Sequence, residues 1–345
     1  MKKTIKLLLV IISSLLLLSC NRTVTEEEAR AVLHKHLEER YGEPFRIGNM
    51  DILMGRERPY YQATILPSRY VGTPKQWDSY YSAVGTVRIN KNRMGEYLGR
   101  GGDIYMTVRL NEEANSFFLP KLQELFGEQV LPIIQIDAFA IKENGDFIKS
   151  WENSIKENKY FYMEGGIYIF GRIDNLDEKD VYREKIFEFI QYMKSKNMFG
   201  RVNLAFYILD ERCLTERFDT EIGDNLLRAR RELQTADEFL SYRRTQMDLL
   251  TEEFSEMDKE SINTRINNLN KGNLRDSDKN KDNKFSVIYH TAIRSPSFYD
   301  FETRIHHYKK LYYDVLLDLK LYNTMKIIYR EYDVEKLHNN EWDGE

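Results

Sequence analysis

The chain has 345 residues, 42% hydrophobic and 31% charged, and 55 acidic residues against 51 Lys and Arg give a formal charge of −4. A mean hydropathy of −0.58 excludes a polytopic membrane protein, which needs several apolar runs of about 20 residues. The 23 Tyr and 18 Phe exclude a globally disordered chain, and two cysteines exclude a disulfide framework. At roughly 100–200 residues per domain, two domains are the starting expectation.

The N-terminus carries the clearest pattern. Lys2, Lys3 and Lys6 precede Leu7 to Leu18, which is apolar apart from Ser13 and Ser14. That core is short for a bilayer span and has the form of an export signal. It ends in Leu17-Leu18-Ser19-Cys20, which resembles a bacterial lipobox. The resemblance implies removal of residues 1–19 and a diacylglyceryl thioether on Cys20, so that lipid holds the chain to a membrane of the cell envelope. An uncleaved anchor helix and an ordinary signal peptide are the other readings. Three lysines leave with the signal, so the mature chain has 326 residues, 48 basic and 55 acidic, a balance of −7. Asn21 stands where Asp marks inner-membrane retention in enterobacterial lipoproteins, which implies the outer membrane in a diderm organism. With Cys20 lipidated, Cys213 reads as a buried, inert thiol just after a strand.

Thr25 and Glu28 have capping-box spacing. They open a helix with Ala29, Val32, Leu33, His36 and Leu37 on one stripe, ending at Tyr41 before Gly42. Extended segments follow at about 45–54, 60–67 and 83–90, set off by glycines and prolines. This order, with the run EEARAVLHKHLEERYGEPF at 27–45, resembles the cystatin-like modules of Gram-positive and related lipoproteins. The resemblance implies a small lipid-anchored α+β module over 20–95.

Over 100–212 the pattern predicts two βαβ units in a ferredoxin-like α+β layer. The first comprises a strand at 103–110, a helix capped by Asn111 and running to Phe126, and an apolar strand at 130–141. After a turn at Asn144-Gly145 and a polar stretch, the second comprises a strand at 166–173, a helix from Asp177 bearing Val181, Ile186, Phe189, Ile190 and Met193, and a strand at 202–209. GGDIYMTVRL at 101–110 and EGGIYIFGRI at 164–173 share Gly102/Gly165, Ile104/Ile167, Tyr105/Tyr168 and Arg109/Arg172. An internal repeat and a chance match of common residues are both open. Residues 213–266 read as two or three helices and 267–284 as a flexible polar loop. Residues 285–345 read as a βαβ-like segment, with an IYHTAIR echo at 288–294, a helix at about 297–317, a strand at 325–329 and a polar tail.

No motif specifies a metal, a cofactor or a nucleic acid. Asp276, Asp278 and Asn280 have half the spacing of a calcium loop, but Lys281 and Val287 occupy the positions that need Gly and Glu. The six histidines lack ligand spacing. Gly99-Arg100-Gly101-Gly102 precedes a strand and reads as a tight turn rather than a phosphate loop. The arginine runs at 228–231 and 243–244 are interleaved with acids on a negatively charged chain, which disfavours nucleic acid.

Two groups of residues are candidate sites. Asp137 in its apolar strand, and Asp210 with Glu211 at a strand end, are candidate catalytic acids, because an apolar setting raises a carboxyl pKa. For Asp137, an ion pair with Arg109 or Arg172 is the alternative. The aromatic group Tyr60, Tyr61, Tyr70, Trp77, Tyr80 and Tyr81 is a candidate binding surface, since adjacent aromatics on a strand place one ring of each pair outward. Packing over the N-terminal sheet is the alternative. The function expected is binding of an envelope protein or a cell-surface polymer, and the competing class is an envelope glycan or peptide hydrolase using strand-end carboxylates.

Overall fold

The structure is a computed structural model describing residues 22–138, 146–174, 176–275 and 287–294, with the backbone of 313–316. The export segment, Cys20, the calcium-loop-like stretch 276–282 and the strand expected at 325–329 lie outside these residues. The chain divides into two compact units, 1–109 and 110–345, and its fold is α+β.

In the first unit, α1 (Glu26–Tyr41) starts at a capping box. Thr25 Oγ1 accepts from the Glu28 N–H, and Glu28 accepts from the Thr25 N–H. Gly42, at φ +67°, ends the helix in the left-handed region that glycine adopts without strain. The strands are β1 (Phe45–Ile47), β2 (Asp51–Met54), β3 (Pro59–Pro67), β4 (Ala83–Asn92) and β5 (Gly95–Asp103). They form an antiparallel sheet ordered β1-β3-β4-β5, with β2 pairing further along the same edge of β3. The segment expected to be continuous at 45–54 is thus broken, where Gly48 N–H bonds Thr64 O and Met50 enters the core. Ala29, Leu33 and Leu37 of α1 pack on Tyr61, Ala63, Ile65, Val87 and Ile89 from one face of the sheet.

The glycine run expected as a turn lies within β5. A Cβ on Gly101 would come 2.6 Å from His36 Cβ, so the missing side chain is what lets α1 lie against this strand. Asp103, its side chain fully buried, ends β5. Its carboxylate accepts from Tyr41 Oη at 2.6 Å, Arg40 Nη1 at 3.1 Å and the Tyr105 N–H at 2.9 Å, with His36 Nε2 2.8 Å away. Burial, and then this carboxylate, hold the Tyr41 hydroxyl pKa above its ordinary value.

Residues 103–110, expected as a strand, instead lead into α2 (Tyr105–Phe126). Buried Asn111, Ala114, Asn115, Phe118, Leu122 and Leu125 show its three-to-four periodicity. The aligned Tyr105 and Tyr168 therefore occupy a helix and a strand, and the two ten-residue segments do not share a structure.

The second unit holds β6 (Val130–Ala138), α3 (Phe147–Lys156), β7 (Phe161–Gly171), α4 (Leu176–Ser195), β8 (Val202–Asp210), β9 (Val287–Arg294) and β10 (Tyr313–Leu316). The sheet follows chain order, and β7 and β8 are its parallel pair, joined through α4 as the second predicted βαβ. The first predicted βαβ is absent because its leading strand is helical. Helix α3 occupies the expected polar stretch and buries Phe147 and Trp151. Rings of Phe147, Phe118, Phe189 and Phe206 form a continuous series at successive centroid distances of 6.1, 5.7 and 5.9 Å. Val181, expected on the apolar face of α4, is exposed. Strand β10 lies inside the expected helix 297–317 and pairs with β9.

Among the described residues, five α-helices, α5 (Gly223–Glu232), α6 (Ala236–Asp248), α7 (Thr251–Glu256), α8 (Lys259–Asn268) and α9 (Lys271–Arg275), lie between β8 and β9. The last two enter the expected loop, because Leu274 is buried and its carbonyl accepts from Tyr168 Oη at 2.8 Å. Among the described residues, no helix is long and apolar enough to cross a membrane.

Candidate functional site

Side chains alternate across a strand. Because Tyr61, Ala63 and Ile65 of β3 face α1, Tyr60, Gln62, Thr64 and Leu66 lie on the opposite face of the sheet. Across β4, Tyr60 pairs with Arg88 and Gln62 with Thr86. Two open depressions lie among these residues. One, about 360 Å³, is lined by Arg46, Thr64, Leu66, Gln76, Trp77 and Ser79 among others. The other, about 620 Å³, gathers Arg56, Arg58 and Arg88 around Tyr60, Gln62 and Thr86, with Glu57 also on its wall.

The aromatic candidates separate by local backbone. Residues 68–82, between β3 and β4, form three short 3-10 turns rather than strands, so adjacent tyrosines do not alternate in and out. Tyr70, Tyr80 and Tyr81 are all buried, with the Tyr81 ring 5.1 Å from each of the other two. Lys75 Nζ sits 4.8 and 4.6 Å from the Tyr70 and Tyr81 ring centres, a cation–π arrangement that closes the cluster. Tyr61 is buried, and its hydroxyl donates to Val24 O. Burial raises its pKa. Tyr60 is half-buried beside the arginines. Trp77 is 79% exposed on the rim of the smaller depression. Its neighbour Asp78 is buried and caps the next turn through the Tyr80 N–H. The expected surface is therefore one tryptophan and one tyrosine, and the other rings are core.

Asp137 lies at the opposite end of β7 from Asp210 and Glu211. Asp137 is exposed near the end of β6, not in an apolar setting. It accepts from Tyr160 Oη at 2.6 Å, rather than pairing with an arginine, and this bond pushes the Tyr160 pKa up to about 12. Asp210 is buried, and both its oxygens are taken by Arg212, from Nε at 2.9 Å and Nη2 at 2.7 Å. Arg212 Nη1 continues to Asp248 at 2.8 Å and Thr251 at 3.2 Å. Glu211 is half-buried at the carboxyl ends of the parallel strands β7 and β8. Burial, then the neighbouring Asp210 charge, raise its pKa, and Arg172 and Arg212 oppose the rise. Cys213 is a buried thiol in the turn that follows.

Among the described residues no group of three His, Cys, Asp or Glu could hold a metal ion. The arginine-lined depression was not legible from spacing. Arg88 lies thirty residues from Arg58 and reaches it only through strand pairing, in which it sits opposite Tyr60. Comparison with protein-family models, characterised proteins and solved structures yields no match.

Proposed function

We propose that the protein is a cell-envelope lipoprotein, held to a membrane through Cys20, whose N-terminal unit binds a cell-surface glycan in the groove beside Trp77. The exposure of Trp77 carries this reading. The ring stands in solvent while Tyr70, Tyr80 and Tyr81 of the same connection are packed away. The groove beside it is lined by Arg46, Thr64, Gln76, Ser79 and Ser82, residues that carry hydrogen-bonding side chains. A sugar offers an apolar C–H face to an aromatic ring and hydroxyls to such a rim.

The test is retention of envelope glycan by a soluble form starting at Asn21. Wild type is expected to retain glycan and Trp77→Ala to lose at least about tenfold in affinity, a loss typical of an anchoring aromatic. Retention of protein but no glycan assigns the groove to a protein partner, and retention of neither removes the binding reading. The anchor is read from the mass of the wild-type chain extracted from membranes. A chain beginning at Cys20 with diacylglyceryl and acyl mass added supports the lipoprotein reading, and a chain at unprocessed mass removes it.

A hydrolytic role rests on Glu211 alone, since Asp210 is committed to Arg212. It requires turnover of an envelope polymer that Glu211→Gln abolishes.

A further inference from the structure

Both hairpin turns of the first unit lie at one end of its sheet. The turn between β2 and β3 places Arg58 Nη1 2.6 Å from Asn90 Oδ1 of β4, and β4 continues to the turn at Arg93 and Met94. The chain enters the unit at this same end. Arg22 bridges Gly95, and its carbonyl accepts from the Glu96 N–H at 2.7 Å.

This end is rich in cations and exposed methionines. Arg56, Arg58 and Arg88 line the larger depression, and Lys91 and Arg93 follow on the second hairpin. Among the described residues Arg56, Arg88, Lys91 and Arg93 make no ion pair. Met54 is 80% and Met94 74% exposed at the two turns. The nearby acids are Glu57, Glu96 and the start of α1. Glu96 accepts from the Val24 N–H, while Glu26 and Glu28 are engaged by Arg30 and Arg22, leaving Glu27 on the helix side.

We infer that this end of the sheet rests on the membrane that holds the lipid, its arginines on anionic headgroups and Met54 and Met94 in the interface. The inference builds on the Cys20 anchor proposed above. Asn21 alone separates Cys20 from Arg22, and the two residue steps span at most about 7 Å of extended chain, so the hairpins remain within the headgroup region. Each cation near an anionic surface strengthens binding about fivefold, and apolar side chains between the cations add contact with the acyl boundary.

The experiment uses the chain from residue 20 with Cys20→Ala, which removes the covalent lipid and leaves the headgroup contacts measurable. Flotation is compared on phosphatidylcholine vesicles with and without phosphatidylglycerol. Salt-sensitive binding to the anionic vesicles alone is expected, lowered on the order of a hundredfold by the combined Arg56→Gln, Arg58→Gln and Arg88→Gln changes. It is lowered also by Met94→Asp and left unchanged by Trp77→Ala. Circular dichroism confirms that each variant is folded. Equal binding to both vesicles, no binding to either, or indifference to the three arginines overturns the inference.

The mass of the membrane-extracted wild-type chain reports lipidation separately. An unlipidated chain that still selects anionic vesicles through these arginines overturns the anchor and keeps the surface. A lipidated chain without that selectivity does the reverse.

Discussion

Asn115, inside α2, accepts the backbone N–H of Ile134 on its side-chain oxygen at 2.8 Å, and one turn earlier Asn111 accepts the Ile136 N–H at 2.6 Å. Strand β6 is the edge of its sheet, and these two asparagines occupy ladder positions that would otherwise face outward. A helix thereby closes an edge that could template further strand pairing. Asn115→Ala leaves a buried N–H without its acceptor and is expected to destabilise the second unit by about 1–3 kcal/mol. A urea midpoint unmoved from wild type refutes this role.

The tyrosines and the tryptophan of residues 68–82 separate under mutation. Tyr80 is 2% exposed, and Tyr80→Ala removes a ring from a packed cluster at an expected cost of about 3–5 kcal/mol. Trp77→Ala is expected to change stability by less than about 0.5 kcal/mol. Thermal melts of the two variants check the contrast, and a large loss for Trp77→Ala makes its ring part of the core.

Arg212 ties the end of β8 to α6 and to the start of α7. Arg212→Met leaves the Asp210 carboxylate buried beside an apolar side chain, with an expected loss of about 3–5 kcal/mol. Adding Asp210→Asn is expected to recover most of it, because the uncompensated charge, more than the lost attraction, causes the damage. Denaturant unfolding of the single and double variants decides the point, and a double variant no better than the single one contradicts it.

His290 lies on β9, fully buried and stacked on Tyr207 at a centroid distance of 4.4 Å. Burial lowers its pKa from 6.5 to about 3. The folded state thus resists protonation that the unfolded chain accepts. The stabilisation from neutral His290 is present above pH 6.5 and is lost as pH falls toward 3, by up to about 1.4 kcal/mol per pH unit. His290→Phe is expected to flatten the stability–pH curve across that window. Curves that stay parallel down to pH 4 defeat the prediction.

Local signals in the sequence were reliable where one short-range force dominated. The capping box of Thr25 and Glu28, the αL stop at Gly42 and the stripe of Ala29, Leu33 and Leu37 each act within one element, and all appear where the pattern places them. The strand β5 was hidden because Gly95, Gly99, Gly101 and Gly102 erase the two-residue alternation; the small size of Gly101 serves contact with α1 instead, and Gly99 and Gly102 lie against β4. The start of α2 misled because Tyr, Thr and Val favour strands intrinsically, while long-range burial and the Asp103 bond to the Tyr105 N–H favour the helix. At the candidate sites, the composition of 60–81 signalled aromatic surface but not which rings turn outward. That depends on the 3-10 turns and on Lys75 lying against Tyr70 and Tyr81.

Strand β3 runs from the arginine-lined depression at Tyr60 to the Trp77 groove at Leu66, a rise of roughly 20 Å at 3.3 Å per residue. For a chain tethered through Cys20 and resting on its hairpin end, as proposed above, this length is a height. Rings on neighbouring copies would then stand in one thin shell, at a common distance above the lipid. A long polymer entering that shell meets several copies at once, and each engaged site raises the effective concentration of the next. Capture would then follow the density of copies on the surface more steeply than the affinity of any one groove, and a short fragment of the same polymer would be a poor competitor.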